Sequence, residues 1–232
     1  MSAAQRGFML TTRAMLAIAL VLVTATPVAL YAQARPTPVS QAATVDAMGD
    51  VPARVAVREI IDGASTRGIP VEPLLTKVRE GIAKRSDPER IRDAVRSLSQ
   101  RLEQARGALE PVYSVQELSA GAGALQGGVS AKTLRELRFL SPSAPLTVPL
   151  GVLTEMIADG VPKGPAASRV RELVARGATS QHLIAMGAEV RADVASGIAP
   201  GTALDLRSKR VISLLGPPST PAVLPPIRPP RP

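Results

Sequence analysis

From residue 51 onward the apolar positions fall largely at helical spacing, and no β-rich segment interrupts them. Val51, Val55, Ile60 and Ile61 mark a first helix, with Asp62-Gly63 as its stop signal. Leu74, Leu75, Val78 and Ile82 form the stripe of a second helix, starting near Val71 and ending near Arg85. Pro73 falls in its first turn, where a missing donor costs least, and Gly81 weakens its interior. Ser86-Asp87-Pro88-Glu89 opens a third helix: either Ser86 and Glu89 make a capping box, or Asp87 caps with Pro88 at the first helical position. Ile91, Val95, Leu98 and Leu102 carry that helix to about Ala108, and Glu110-Pro111 ends it. Residues 113–129 read as softer. Val115 and Leu118 support one or two turns before Gly121, Gly123, Gly127 and Gly128 loosen the chain. Ser130 caps a short helix with Leu134, Leu137 and Phe139 on its apolar face, and Ser141-Pro142-Ser143-Ala144-Pro145 is a linker.

Part of this pattern occurs twice. Gly68-Ile69-Pro70 returns at Gly160-Val161-Pro162, and the two stretches stay aligned through Pro73/Pro165, Val78/Val170, Arg79/Arg171, Glu80/Glu172 and Ala83/Ala175. Glu80 with Lys84 becomes Glu172 with Arg176, the favourable i,i+4 order in each copy. Upstream, Val51-Pro52 matches Val148-Pro149, Val55 matches Val152 and Ile60 matches Ile157. The offset there differs by five residues, placed at Ala64 to Gly68 as a looser turn. In the Gly-(Ile/Val)-Pro turn, glycine takes a left-handed C-cap, the β-branched residue packs back on the helix end, and proline prevents continuation. Such helices bury too little alone and gain stability by stacking. The expectation is an all-α fold of short helical hairpins in two related modules, 51–110 and 147–210. A Gly-rich and short-helix connector over 111–146 would join them.

The flanks carry a different signal. Residues 1–34 read as a secretory signal peptide: Arg6 and Arg13, an apolar run from Ala14 to Val23, and small residues Ala32 and Ala34 at the positions a signal peptidase reads. A retained anchor over residues 14–30 is the alternative, at 17 residues where a span needs about 20. No cysteine occurs anywhere, which excludes both lipid attachment through a cysteine and a disulfide framework. Residues 35–50 read as an extended or disordered linker, and 211–232 as a Pro-rich disordered tail. Eight of the sixteen residues from Pro217 to Pro232 are proline, a composition that favours polyproline II and forbids a helix. The tail reads as a stiff terminus or as a ligand for an aromatic groove or anionic surface, helped by Arg228 and Arg231.

Cleavage after Ala34 leaves 198 residues, a formal charge of +7 against +9 for the whole chain, and Tyr113 and Phe139 as the aromatics. A core of Leu, Val, Ile, Ala and Met suits thin helix pairs of modest stability. The basic residues spread over both modules. Arg79, Lys84, Arg92, Arg96, Arg169 and Arg176 are the candidates for contact with an anionic surface of the cell envelope, with a solvated charged face as the plainer reading. Nucleic acid is not an expected partner, because stacking aromatics are missing.

Chemistry is poorly marked. His182 is the one histidine, without a cysteine or obvious carboxylate partner, and reads as an exposed structural residue beside cap residues Thr179 and Ser180. Gly121-Ala122-Gly123 and Gly127 follow no strand and make no dinucleotide loop. Glu59 with Asp62, or Glu155 with Asp159, could share a helix face, but nothing marks either as an acid/base pair. No catalytic residue, cofactor or metal is expected. The implied role is an exported, secreted or periplasmic envelope-associated binding or scaffolding protein, with an unidentified envelope protein or anionic polymer as partner and at most peripheral membrane contact unless residues 14–30 are retained. The alternatives are an exported enzyme or enzyme inhibitor, and an anionic-lipid or wall-polymer binding protein.

Overall fold

The computed structural model describes residues 38–111 and 113–216. They form ten helices: α1 (Pro38–Asp46), α2 (Val51–Thr66), α3 (Glu72–Ala83), α4 (Pro88–Leu109), α5 (Val115–Gln126), α6 (Ala131–Leu140), α7 (Thr147–Ala158), α8 (Lys163–Ala175), α9 (Ser180–Ala195) and α10 (Pro200–Leu215).

Six links between them are built alike. Each has one residue in the left-handed region: Gly68 (φ 73), Arg85 (φ 51), Gly128 (φ 86), Gly160 (φ 90), Gly177 (φ 76) and Gly197 (φ 96). At Gly160 the glycine N–H donates to Ile157 O (3.1 Å) and the following Val161 N–H donates to Met156 O (2.9 Å), which satisfies two carbonyls the helix end would otherwise leave open. The same two bonds recur at the other five links. After the glycine comes an apolar residue that turns inward: Ile69, Val129 and Val161 are buried, and Ala178 and Ile198 are packed on the core. The next helix then starts by whatever means its residues allow. Asp87 accepts from Glu89 N (2.9 Å), with Pro88 behind it, so Asp87 is the cap at that start. Ser130 and Thr179 accept from the N–H groups of Thr133 (3.2 Å) and His182 (3.4 Å), and Pro162 needs no side-chain bond.

The helices pack in two layers. α5, α7 and α9 follow one another on one side, and α6, α8 and α10 on the other, with α7 against α8 and α9 against α10. The 22-residue α4 packs on both α5 and α6 and on α2 and α3, while α1 closes on α2 and α3. One continuous apolar core runs through the array, filled by leucines such as Leu74, Leu102, Leu118, Leu137, Leu153 and Leu173 and by small residues such as Ala64, Ala105 and Ala166.

Several expectations are corrected here. Residues 38–46 are helical, and Val45 at the end of the helix and Met48 just beyond it are buried, so the stretch read as a linker over 35–50 contributes core from residue 45. The glycines of 115–126 do not loosen the chain. α5 is a regular helix opened by a capping box between Ser114 and Glu117, and Gly121 is buried because a Cβ there would stand 3.1 Å from Ala105 Cβ and 3.2 Å from Leu109 Cδ1. Glycine lets α5 approach α4 closely, so 111–146 is part of the core rather than a connector. Gly63 does not stop α2, which runs on to Thr66; the five extra residues of the first copy lengthen a helix and Gly68 ends it. The stripe of α2 is Ala53, Val57, Ile61 and Ala64, while Val51 and Val55 face outward. Phe139 is 83% exposed and lies off the apolar face of α6, where Arg138 is buried instead. α10 continues to Leu215 with Val211 buried, past the expected boundary at 210. The tail proper, 217–232, and residues 1–37 lie outside the described residues.

Candidate functional site

An open groove of about 580 Å³ runs between α6 and α8. α6 contributes Lys132, Arg135, Glu136, Phe139 and Leu140, and α8 contributes Ser168, Arg171, Glu172 and Ala175. Both sets step by three and four residues, so each is one face of its helix. α6 and α8 are neighbours in the same layer, and the Arg171 guanidinium crosses between them to Glu136. Both groove carboxylates are compensated within the fold. Lys132 also lies 3.9 Å from Glu136, and Glu172 accepts from Arg169 (2.9 Å) and Arg176 (3.1 Å). Arg135 is exposed and has no ion-pair partner among the described residues. The groove therefore presents Phe139 and Leu140, 83% and 39% exposed, beside an unpaired cation.

Phe139 is held outward by its neighbour. Arg138 is buried, and its Nη2 donates to Glu117 Oε1 at 2.6 Å. Its Nη1 donates to the carbonyls of Ser141 (3.0 Å) and Ala144 (3.1 Å). Glu117 in turn accepts from the N–H groups of Leu146 (2.8 Å) and Ser114 (2.9 Å). Burial alone would push the Glu117 carboxyl up, but these two backbone donors and the Arg138 guanidinium outweigh it and hold the carboxyl below its usual range. The pair ties α5, α6 and the segment before α7 together. Segment 141–145, expected as a linker, is consequently fixed at Ser141 and Ala144. Once residue 138 points inward, residue 139 is turned about 100° around the helix toward solvent. Sequence reasoning missed both members of this pair. The detectable signals were Ser114-Val115-Gln116-Glu117, a capping-box sequence, and the i,i+4 position of Arg138 relative to Leu134.

The six cations expected at an anionic surface are each engaged within the fold. Arg79 pairs with Glu72, Arg92 with Asp93 (2.9 Å) and Glu89, and Arg96 with Asp93 (3.3 Å). Lys84 (2.5 Å) shares Glu80 with Lys77 (2.6 Å), and the two ammonium groups hold the Glu80 carboxyl down at about 2. Arg169 spans from Glu172 to Asp205 on α10 (2.9 Å), and Arg176 from Glu172 to the carbonyl of Gly216 (2.8 Å). The expected i,i+4 pairs, Glu80–Lys84 and Glu172–Arg176, are both formed. Other arginines act as staples between helices: Arg191 joins α9 to Glu155 and Asp159 at 3.0 Å each, and Arg207 joins α10 to Asp193 at 2.6 Å. The groove thus includes none of the six except through their shared partner Glu172.

His182 is half-buried, and its Nδ1 accepts from Thr179 N (3.2 Å) to complete the reciprocal cap of α9. Of the two residues expected as caps, Thr179 is the cap and Ser180 the first helical residue; His182, expected to be exposed, is half-buried because its ring folds back on the cap. Among the described residues no group of three or more His, Cys, Asp or Glu side chains could hold a metal ion, and no helix is long and apolar enough to cross a membrane. Ala32, Ala34 and residues 14–30 lie outside the described residues. No protein-family model matches the chain, and neither a curated protein nor a solved structure was found to match it.

Proposed function

We propose that the chain is an exported, envelope-associated binding or scaffolding protein that works through the surface of its helical stack. The observation that carries this reading is the α6/α8 groove, where Phe139, at 83% the most exposed large apolar side chain among the described residues, stands beside Leu140 in a concavity. Uncovered apolar side chains in a concavity are the usual mark of a recognition surface. In the same reading, 51–98 and 148–190 are copies of one packing unit, and 217–232 is a proline-rich arm with a recognition role of its own.

The test compares the exported protein with its Phe139→Asp variant as baits in envelope extract. Capture of the same protein by the parent and not by the variant supports the reading. Equal capture by both removes the groove from it, and capture by neither removes the envelope partner.

A second reading, binding to anionic lipid or wall polymer, is favoured by one observation. Arg85, Arg90, Arg135 and Lys209 are exposed and have no ion-pair partner among the described residues. Binding to anionic vesicles that falls steeply with salt is its expected signature, and no binding at low salt overturns it.

A further inference from the structure

We propose that the resident occupant of the α6/α8 groove is the chain's own proline-rich tail, residues 217–232, lying over Phe139. The first support is where the described chain ends. α10 stops at Leu215, and Gly216 takes a left-handed φ of 73°, which turns the backbone off the helix axis. The Gly216 carbonyl accepts from Arg176 at 2.8 Å. Arg176 directly follows Ala175, a groove residue, and also bonds Glu172, another groove residue, at 3.1 Å. The tail therefore departs from a point fastened to the lip of the groove, and need not travel around the molecule to reach it.

The second support is length. The thirteen residues of α8 make a groove wall of about 20 Å. Sixteen residues of extended, proline-rich chain reach about 50 Å at about 3.1 Å per residue, so six or seven of them span the wall. The third is chemistry. The segment from Pro217 to Ile227 is uncharged and carries five prolines with Val223, Leu224 and Ile227. Proline-rich segments dock against aromatic faces, at small conformational cost because proline has already restricted them. Phe139 is the aromatic that the described surface offers at high exposure, while Tyr113 packs against the core. The charges agree as well. Glu136 and Glu172 are already compensated and Arg135 is not, so an uncharged segment suits the groove better than a basic one. Arg228 and Arg231 fall beyond the stretch needed to span it.

Weak contacts suffice for such an arrangement. A short tether holds its segment at an effective concentration of order millimolar, so a site that would bind the free peptide at about 1 mM is half-filled by the tethered one. Any envelope partner that uses the groove then has to displace the tail, and this consequence rests on the function proposed above. The seating of the tail does not.

The chain contains no cysteine, so one Thr220→Cys substitution carries a single nitroxide on the full-length exported protein. The expected result is loss of amide NMR intensity over residues 132–140 and 168–175 that persists on dilution. Adding Phe139→Asp to the labelled chain is expected to restore those signals while the circular dichroism melt stays unchanged, since residue 139 is 83% exposed. Intensity loss confined to the outer faces of α9 and α10, around Ile184 and Leu206, overturns the proposal. So does loss that disappears on dilution, which would mean a second copy, and so does no localised loss at all. These outcomes are read without any partner present and are separate from the extract experiment.

Discussion

Replacing Arg138 with methionine keeps an unbranched apolar stem and deletes the guanidinium that neutralises Glu117. The Glu117 carboxylate is 5% exposed and would keep its two backbone donors, Leu146 N and Ser114 N, but lose its cation at 2.6 Å. The carbonyls of Ser141 and Ala144 would lose their shared donor. Breaking a buried pair from one side costs about 3–5 kcal/mol, because a charge is left without compensation. For a chain of this size that lowers the thermal midpoint by roughly 6–20 °C. The pH dependence follows from the position of the Glu117 carboxyl. In the parent it is held below its unfolded value near 4.3, so its stabilising contribution is complete above about pH 4.3 and fades as pH falls through the folded value. In the variant burial is no longer outweighed by the cation, the carboxyl moves up, and protonation relieves the site. The deficit of Arg138→Met relative to the parent is therefore expected to be full at neutral pH and smaller near about pH 4. Urea unfolding followed by far-ultraviolet circular dichroism measures it at both. Glu117→Gln added to Arg138→Met removes the stranded charge while keeping a carbonyl for Leu146 N, and is expected to recover part of the loss. A loss below about 1 kcal/mol, or a pH-independent deficit with no recovery in the double variant, would refute the reasoning.

Three further expectations concern helix ends and helix contacts. Arg85 occupies the left-handed position that glycine fills in the other five links, so Arg85→Gly should stabilise the chain by about 1 kcal/mol, whereas Gly160→Ala should cost about 1–2 kcal/mol; chemical denaturation midpoints report both, and equal signs would sink the idea. Gly121→Val should cost about 1–3 kcal/mol, because even its Cβ meets Ala105, Leu109 and Leu134 at 3.1–3.3 Å, while Gly107→Ala on α4 meets nothing within 4 Å and should gain up to about 1 kcal/mol in the same assay. Thr179→Ala should cost about 1 kcal/mol by removing the α9 cap, and amide exchange should rise first at His182, the N–H that Thr179 holds; protection unchanged there would refute the capping role.

The turn Gly-(Ile/Val)-Pro was legible in its two proline-containing copies and went unseen at Gly128-Val129-Ser130, Gly177-Ala178-Thr179 and Gly197-Ile198-Ala199. The physical requirement is a left-handed residue, an inward apolar residue and an extended helix opener. Proline, serine, threonine and aspartate meet the last condition by different means, so a search for identical letters misses the shared geometry. α5 was unreadable for a different reason. Glycine lowers helix propensity locally, and only the approach of Ala105, Leu109 and Leu134 shows that a missing side chain is what this helix needs. Helix α1 was missed because Val45, its one core residue among those described, sets no period, and Met48 lies beyond its end. The groove was hidden because its two faces come from helices some thirty-six residues apart, and each face reads by itself as a charged helix exterior.

By itself the sequence determined that the fold is all-α, where α3, α4 and α6 begin and end, and which leucines and valines line much of the interior. Caps, left-handed glycines and stripes act over a few residues and need no distant partner. The tertiary structure decided how the helices stack, that most arginines close ion pairs with carboxylates in the fold, and that Phe139 stands in solvent while Arg138 is buried. Those outcomes depend on which groups far apart in the chain come within a few ångströms, and a buried charge is tolerated only where such a partner arrives.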